Sequence, residues 1–165
     1  QDVKKSKLGE IYYRYLKLPY FGLNYGAFPQ TWEDNTKDLL DGMKGDNDAI
    51  DVVEISGNKS HVGEVQQVKV AGAFCLIDQG EVDWKILVVK TSFLKEVNME
   101  AEDYLRQFAS QGKLETVMNR FRIYKTYEGK NKNSIYNDKV YNAKEAIDIL
   151  AESHQDYNSN KEKLM

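Results

Sequence analysis

Three aspartates lie close together in the segment GDNDAID, which spans residues 45–51. The segment VVEI follows at once, and its β-branched residues predict a buried strand. The carboxylates of Asp46, Asp48 and Asp51 can therefore converge at one strand end. Carboxylates a few ångström apart repel each other by about 1 kcal/mol per pair in water, whereas hard divalent cations such as Mg2+ bind carboxylate oxygen. Taken alone, the loop is equally compatible with a metal site, a solvated turn and a strand cap.

A second acidic cluster lies in the segment DQGEVDWK, residues 78–85, where Gly80 marks a turn between two strands. Strand alternation places Asp83 and Lys85 on one face of the second strand, with the intervening tryptophan on the other face. By itself, this carboxylate and this ammonium group could form a plain ion pair. Two acidic clusters at strand ends are better explained by shared metal ions, so together they predict a divalent-metal site.

Phenolic and basic side chains occur in two further segments. Tyr25 lies in NYGAF, and Tyr124 and Lys125 lie in FRIYK. Metal ions combined with lysine and tyrosine side chains are suited to binding and cleaving a polyanionic phosphate. The sequence therefore favours phosphate chemistry at the predicted metal site.

The elements that must position these groups begin with strands. Residues 10–16, EIYYRYL, predict a strand, and a loop is expected from Pro19 to about Gly45. Four short strands then follow, namely IDVVEIS, EVQQVKVAG, AFCLID and VDWKILVVK. Such a series is typical of an antiparallel barrel or sandwich.

Helices are predicted after Thr91. The segments MEAEDYLRQFAS and KLETVMNRFRIYK have apolar residues at helical spacing, and Gly112 between them marks a helix end. A polar loop that could hold a short strand leads to a third helix, NAKEAIDILAESHQDY. The predicted buried face of this helix consists of Ala143, Ala146, Ile147 and Leu150. A β core followed by helices indicates the α+β class.

Composition limits the possible partners and compartments. The 165 residues are enough for one domain, and the net charge of -3 disfavours a nucleic-acid partner. No apolar stretch or N-terminal pattern predicts a membrane span or a signal peptide. The one cysteine, Cys75, lies in the apolar run AGAFCLI, so we expect a buried structural thiol in a cytoplasmic setting. His61 and His154 are isolated and form no ligand pattern.

Four segments in order, NYGAFPQTWED, GDNDAIDVVEI, DQGEVDWKILVV and FRIYK, resemble the soluble family I inorganic pyrophosphatases in their eukaryotic form. The similarity extends from about Gln1 to His154. It implies an OB-like, closed or partly open five-stranded β-barrel with flanking C-terminal helices, in a single domain over residues 1–165. It also implies Mg2+-dependent hydrolysis of pyrophosphate to two phosphates by a homodimer, with Mn2+ as a substitute cation.

The resemblance implies a role for each of the residues singled out above. Asp46, Asp51 and Asp83 would bind the metal pair that activates the attacking water. Asp48 would act as the general base, and Asp78 would help to hold further metal ions. The side chains that would contact phosphate oxygens are Tyr25, Lys85, Tyr124 and Lys125. The last of these would also neutralise the departing phosphate, and no phosphoenzyme would form.

The chain also departs from the family pattern. Ala49 replaces a usual proline, and Gly9 stands where a phosphate-binding arginine is expected. Arg14 could supply that arginine in a shifted strand register. The family's N-terminal EIPR-type segment has no counterpart in this sequence, so we expect the domain to be incomplete at its N-terminus. Glu33 and Asp34 in TWED belong to a family motif, and we interpret them as structural loop anchors.

Two other functions stay open at this point. A catalytically impaired pyrophosphatase-like subunit, acting as a metal-binding or interaction module, would explain the missing arginine and N-terminal site residues. An OB-type nucleic-acid binder would fit the strand pattern and the 12% aromatic content. The negative net charge and the acidic clusters argue against this last function.

Overall fold

The computed structural model describes residues 3–13 and 22–164. The strands in chain order are β1 (Val3–Lys5), β2 (Ile11–Tyr13), β3 (Asn24–Ala27), β4 (Asp38–Leu40), β5 (Met43–Lys44), β6 (Asp51–Glu54), β7 (Val68–Asp78), β8 (Glu81–Lys90), β9 (Ser134–Ile135) and β10 (Tyr141–Asn142). The main sheet has the order β10–β7–β8–β6–β3, and β9 also pairs with β7. The pairs β1–β2 and β4–β5 form two separate hairpins.

The long hairpin β7–β8 forms the centre of the main sheet. Gln79 and Gly80 connect its strands with φ angles of 57° and 92°, and positive φ at both positions suits the twist of a two-residue hairpin turn. Within β7 the register shifts between Val70 and Gly72. A Cβ atom on Gly72 would lie 2.7 Å from the carbonyl oxygen of Tyr141. The two strands predicted for this part of the chain are therefore one bulged strand, because the irregularity bends β7 without ending it.

Strand β6 joins the hairpin to the edge strand β3. It pairs in parallel with β8 and antiparallel with β3, so the antiparallel expectation is wrong for the β6–β8 pair. The predicted loop between residues 19 and 45 is also wrong in part, because β3, β4 and β5 lie within it. These strands are short and glycine-flanked. They form because they pair with neighbouring strands, and their own sequences lack the alternation of apolar and polar residues that would predict them. The strand predicted at residues 10–16 is confirmed for Ile11–Tyr13.

The helices are α1 (Thr91–Val97), α2 (Ala101–Ser110), α3 (Lys113–Ile123) and α4 (Ala143–Leu164), with single 3-10 segments at Tyr124–Glu128 and Tyr136–Asp138. Helix α1 was not predicted from the sequence. The break between α2 and α3 is confirmed at Gly112, whose φ of 71° is easily adopted by glycine. The third predicted helix, α4, is confirmed and extends further than its predicted end.

The buried face of α4 differs from the predicted face. Ala143 and Ala146 are buried, but Ile147 is 52% exposed, so its assignment to this face is wrong. Ser153 is buried instead. Its hydroxyl accepts a hydrogen bond from the backbone N–H of Trp32 at 2.8 Å and donates one to the backbone oxygen of the same residue at 3.0 Å. This docking contact sets the rotation of the helix about its axis.

Two apolar clusters cover the two faces of the sheet. Helices α2 and α3 pack on one face and α4 packs on the other. Phe74 and Cys75 are adjacent in β7 and point into opposite clusters. The predicted burial of Cys75 is confirmed, and burial raises the pKa of its thiol to about 12.

The architecture confirms the α+β class with a mainly β core and C-terminal helices. Among the described residues the sheet remains open, with β3 at one edge and β9 and β10 at the other. The partly open form of the expected barrel is therefore the one observed. Across residues 3–13 and 22–164, no helix has the length and apolar character needed to cross a lipid bilayer.

Candidate metal centre

The acidic loop is held in place by the backbone of residues 31–34. The N–H of Glu33 donates to the oxygen of Asp48 at 2.8 Å, and the N–H of Asn47 donates to the oxygen of Glu33 at 3.0 Å. Gly45 closes the contact, because a Cβ atom there would lie 2.4 Å from the carbonyl carbon of Glu33. Only glycine permits this approach of two backbones. These contacts agree with the interpretation of TWED as a loop anchor.

Within the loop, backbone N–H groups orient two of the aspartates. The carboxylate of Asp46 accepts a hydrogen bond from the N–H of Asp48 at 3.0 Å, and the carboxylate of Asp48 accepts one from the N–H of Ala49 at 2.8 Å. Asn47 between them has a φ of 69° and accepts a hydrogen bond from the Trp32 indole at 3.0 Å. Asp46 consequently points towards β8, whereas Asp48 stays exposed to solvent at the rim.

The third aspartate of the loop belongs to a charge cluster around Lys85. Parallel pairing of β6 with β8 places Asp51 opposite Lys85, and strand alternation places Asp83 beside it, as predicted. The Lys85 ammonium is buried and donates to both carboxylates and, at 3.1 Å, to the hydroxyl of Tyr25. Tyr25 also donates to Asp51. Although the tyrosine residue is 57% exposed, its hydroxyl end is enclosed by this cluster.

Opposing effects act on the pKa values of this cluster. Burial alone would lower the pKa of Lys85, but the nearby charges, led by that of Asp83, raise it well above its usual value. Burial raises the pKa of the Tyr25 hydroxyl, and the neighbouring carboxylates raise it further. Both shifts favour the ammonium form of Lys85 and the neutral hydroxyl of Tyr25.

A second polar cluster lies beside the first. Asp78, at the end of β7, accepts a hydrogen bond from the hydroxyl of Tyr124 at 3.0 Å and forms an ion pair with Lys125. Burial, followed by the charge of Asp78, raises the pKa of Tyr124. The ring of Phe121 separates the clusters, with its centroid 6.0 Å from that of Tyr25 and 6.2 Å from that of Tyr124.

Three carboxylates converge beside the Lys85 cluster. One oxygen from each of Glu33, Asp46 and Asp83 lies within 4.8 Å of the other two. Burial raises the pKa of Asp46 to about 6 and that of Asp83 to about 7, and it raises the pKa of Glu33 well above its usual value. Such a set of hard, mutually repelling oxygens fits a divalent cation such as Mg2+.

Glu33 is the member of this group that sequence reasoning missed as a possible ligand. It is 2% exposed, and its Oε1 accepts a hydrogen bond from the N–H of Trp84 at 2.7 Å. No spacing in the sequence connects it with Asp46 or Asp83, and its place in a family motif indicated only an anchoring role. Of the other predicted site residues, Arg14 lies outside the described residues.

The fold and these clusters can be compared with known proteins. The family model for inorganic pyrophosphatase matches residues 2–158. The chain belongs to the inorganic pyrophosphatase family. Among curated pyrophosphatases, that of Zygosaccharomyces bailii is 40% identical over 164 residues, covering 95% of this chain and 55% of the relative. The mouse inorganic pyrophosphatase is 40% identical over 160 residues, covering 93% of this chain and 53% of the relative.

Solved pyrophosphatase structures share the fold. The Trypanosoma brucei vacuolar soluble pyrophosphatase in apo form superposes with a TM-score of 0.84 at 32% identity, covering 98% of this chain and 40% of the other. An N-terminally truncated Trypanosoma cruzi vacuolar soluble pyrophosphatase in complex with PPi gives a TM-score of 0.79 at 29% identity, covering 95% and 62%. The chain spans about half the length of the curated pyrophosphatases that it matches.

Proposed function

We propose that the protein containing this chain hydrolyses inorganic pyrophosphate to two phosphate ions, with Mg2+ as its cofactor and Mn2+ as a possible substitute. Membership of the inorganic pyrophosphatase family supports this activity. The observation that carries it is the buried ammonium of Lys85 beside a group of three converging carboxylates, of which only Asp83 forms an ion pair with it. A site that binds a complex of Mg2+ with pyrophosphate needs carboxylates as well as ammonium groups. Carboxylates attract the cation, and ammonium groups attract the phosphate oxygens.

The aspartates would hold the cations and accept the proton. We assign Asp46, Asp51, Asp78 and Asp83 as metal ligands. When bound, divalent cations supply Lewis acidity that lowers the pKa of water from about 15.7 to near 7. Asp48 is exposed at the rim of the cluster, and we assign it as the general base that takes a proton from the attacking water. Its contact with the Ala49 N–H orients the carboxylate for this role.

Lysines and tyrosines would hold the substrate. Lys85 and Lys125 offer point charges, and Tyr25 and Tyr124 offer directional hydroxyl donors without adding charge. In the structure these four groups are bonded to Asp51, Asp83 and Asp78. The same carboxylates would hold the cations, and the four donors would bind phosphate oxygens. Lys125 would then stabilise the charge on the departing phosphate, and Arg14 is the proposed substitute for the arginine that Gly9 replaces.

We further propose that residues 1–165 form a single pyrophosphatase domain and that the protein is a cytoplasmic homodimer. The free, buried thiol of Cys75 suits a reducing compartment, and the resemblance to eukaryotic pyrophosphatases supports the dimer. Light scattering on the complete protein checks the oligomer, and a single-protomer mass at every concentration would exclude it.

Phosphate release from magnesium pyrophosphate tests the activity. The complete protein should release phosphate, and Asp48→Asn should slow the release by about 10²- to 10⁴-fold, as removal of a general base does. Asp103→Asn, in an exposed ion pair on α2, is the matched control and should retain the rate. If neither the Mg2+-loaded nor the Mn2+-loaded protein releases phosphate, the proposal is rejected. Tight cation binding without release would identify the impaired metal-binding module instead.

A further inference from the structure

Only one of the two oxygens of the buried Glu33 carboxylate accepts a hydrogen bond among the described residues. Its Oε1 accepts the Trp84 N–H at 2.7 Å, whereas Oε2 has no hydrogen-bond partner within the part of the chain that the structure describes. The residue is 2% exposed, so bulk water does not replace the missing partner. A buried acceptor that is left unpaired is unfavourable, and native structures retain such atoms chiefly where a ligand, an ion or an ordered water completes them.

The surroundings of Glu33 indicate a cation rather than a neutral donor. The carboxylates of Asp46 and Asp83 each have an oxygen within 4.8 Å of a Glu33 oxygen, and the charge of the Lys85 ammonium offsets their repulsion only in part, since the pKa of Glu33 stays well above its usual value. Lys85 forms ion pairs with Asp83 and Asp51, and no ion pair involving Glu33 occurs among the described residues. Opposite oxygens around an octahedral Mg2+ lie about 4.2 Å apart, so a group of this size can surround one ion after small adjustments.

Hydrogen bonds of its own backbone and of its carboxylate fix the position of Glu33. Its N–H and C=O are both hydrogen-bonded to the acidic loop, at 2.8 Å and 3.0 Å, and Trp84 fixes the carboxylate through Oε1. Three separate parts of the chain, the 31–34 segment, the 45–51 loop and β8, thus present one carboxylate each to a common point.

We propose that Glu33 binds a divalent cation through Oε2, together with Asp46 and Asp83, in addition to anchoring the acidic loop. Only the identity of the cation rests on the proposed function, because we take it to be the divalent cation that pyrophosphate hydrolysis would use. The role itself concerns cation binding, so it is measured without substrate.

Binding of Mn2+ to the complete protein in the absence of pyrophosphate, followed by calorimetry, tests this role. Glu33→Gln keeps an oxygen for the Trp84 N–H but removes the charge and one ligand oxygen, and should weaken one Mn2+ site by tenfold or more. The matched control is Asp34→Asn, since Asp34 is also buried but binds the N–H and hydroxyl of Thr36. This control should bind Mn2+ as the unmodified protein does. Equal affinity of Glu33→Gln and the unmodified protein, or equal losses in both variants, would overturn the proposal.

A second measurement covers the case in which Glu33→Gln does not fold. Crystals of the unmodified protein soaked in Mn2+ should show anomalous density bonded to a Glu33 carboxylate oxygen. Density bonded to aspartates alone would overturn the role of Glu33 while leaving the proposed function intact. Conversely, density on Glu33 in a protein that releases no phosphate would support the ligand role and reject the activity.

Discussion

At the scale of single residues, the candidate site depends on unequal charge neutralisation. Lys85 is 1% exposed and forms ion pairs with both Asp51 and Asp83, whereas Asp46 and Glu33 form no ion pair among the described residues. Burial raises the pKa values of both carboxylates, and it raises that of Asp83 even though Asp83 is paired with Lys85. This imbalance prepares the site for a divalent cation and makes the metal-free protein sensitive to pH.

The sign of the pH dependence follows from Asp46 and Asp83. Their pKa values rise from 3.8 to about 6 and about 7 in the folded protein, so the folded state binds protons more tightly than the unfolded state. The stability that this binding contributes is fully present below about pH 4 and is lost as pH rises to about 7. In EDTA, we expect these two groups to make the chain less stable at about pH 8 than at about pH 5.

Thermal unfolding with and without Mg2+ measures this effect. The rise in Tm on adding excess Mg2+ should be larger at about pH 8 than at about pH 5, by at least about 3 °C. Asp46→Asn should reduce that difference, because one of the two titrating carboxylates is gone. An equal Mg2+ effect at both pH values would contradict the proposed competition between protons and the cation.

At the scale of elements, the close packing of two backbone segments positions the acidic loop. The 31–34 segment and residues 45–50 exchange hydrogen bonds along their length, and Gly45 lies against Glu33 with no room for a side chain. The loop conformation is therefore fixed by this contact together with the hydrogen bonds inside the loop.

Substitution of Gly45 tests this positioning. Gly45→Ala would force the two backbones apart, because its Cβ would lie 2.4 Å from Glu33 backbone atoms. We expect a loss of about 1–3 kcal/mol in the free energy of unfolding and weaker Mn2+ binding. Gly26→Ala in β3, where a Cβ would meet open space, is the control. Unchanged Mn2+ affinity in Gly45→Ala would show that the loop does not need this contact.

At the scale of the whole molecule, the sheet is a layer between two sets of helices. Helix α4 covers the face that bears Trp84, and its rotation is set by the contact of Ser153 with Trp32. The same tryptophan contacts Asn47 in the acidic loop. Packing of the C-terminal helix and geometry of the candidate site are therefore connected through one residue.

The rotation of α4 gives a stability prediction. Ala146 is fully buried, so Ala146→Leu should overpack this layer and lower the free energy of unfolding by about 1–3 kcal/mol. Ile147 is 52% exposed, and Ile147→Lys should change it by only about 0.5 kcal/mol. Chemical denaturation of both variants measures the two values. A larger loss from Ile147→Lys than from Ala146→Leu would restore the buried face predicted from the sequence.

The sequence by itself determined the features that depend on neighbouring residues. Strand alternation set Asp83 and Lys85 on one face, the Gln79–Gly80 turn joined the two long strands, and the run around Cys75 predicted a buried strand. These follow from backbone geometry with a period of two residues or from turn conformations, which are local properties. The family itself was also recognisable from four short segments in order.

Only the tertiary structure decided which distant groups meet. Parallel pairing of β6 with β8 placed Asp51 opposite Lys85, and docking of the 31–34 segment added Glu33 to two aspartates. The short strand β3 likewise exists through pairing with β6. Such contacts arise from the relative placement of whole elements, which depends on packing summed over both faces of the sheet, and no local pattern of residues encodes it.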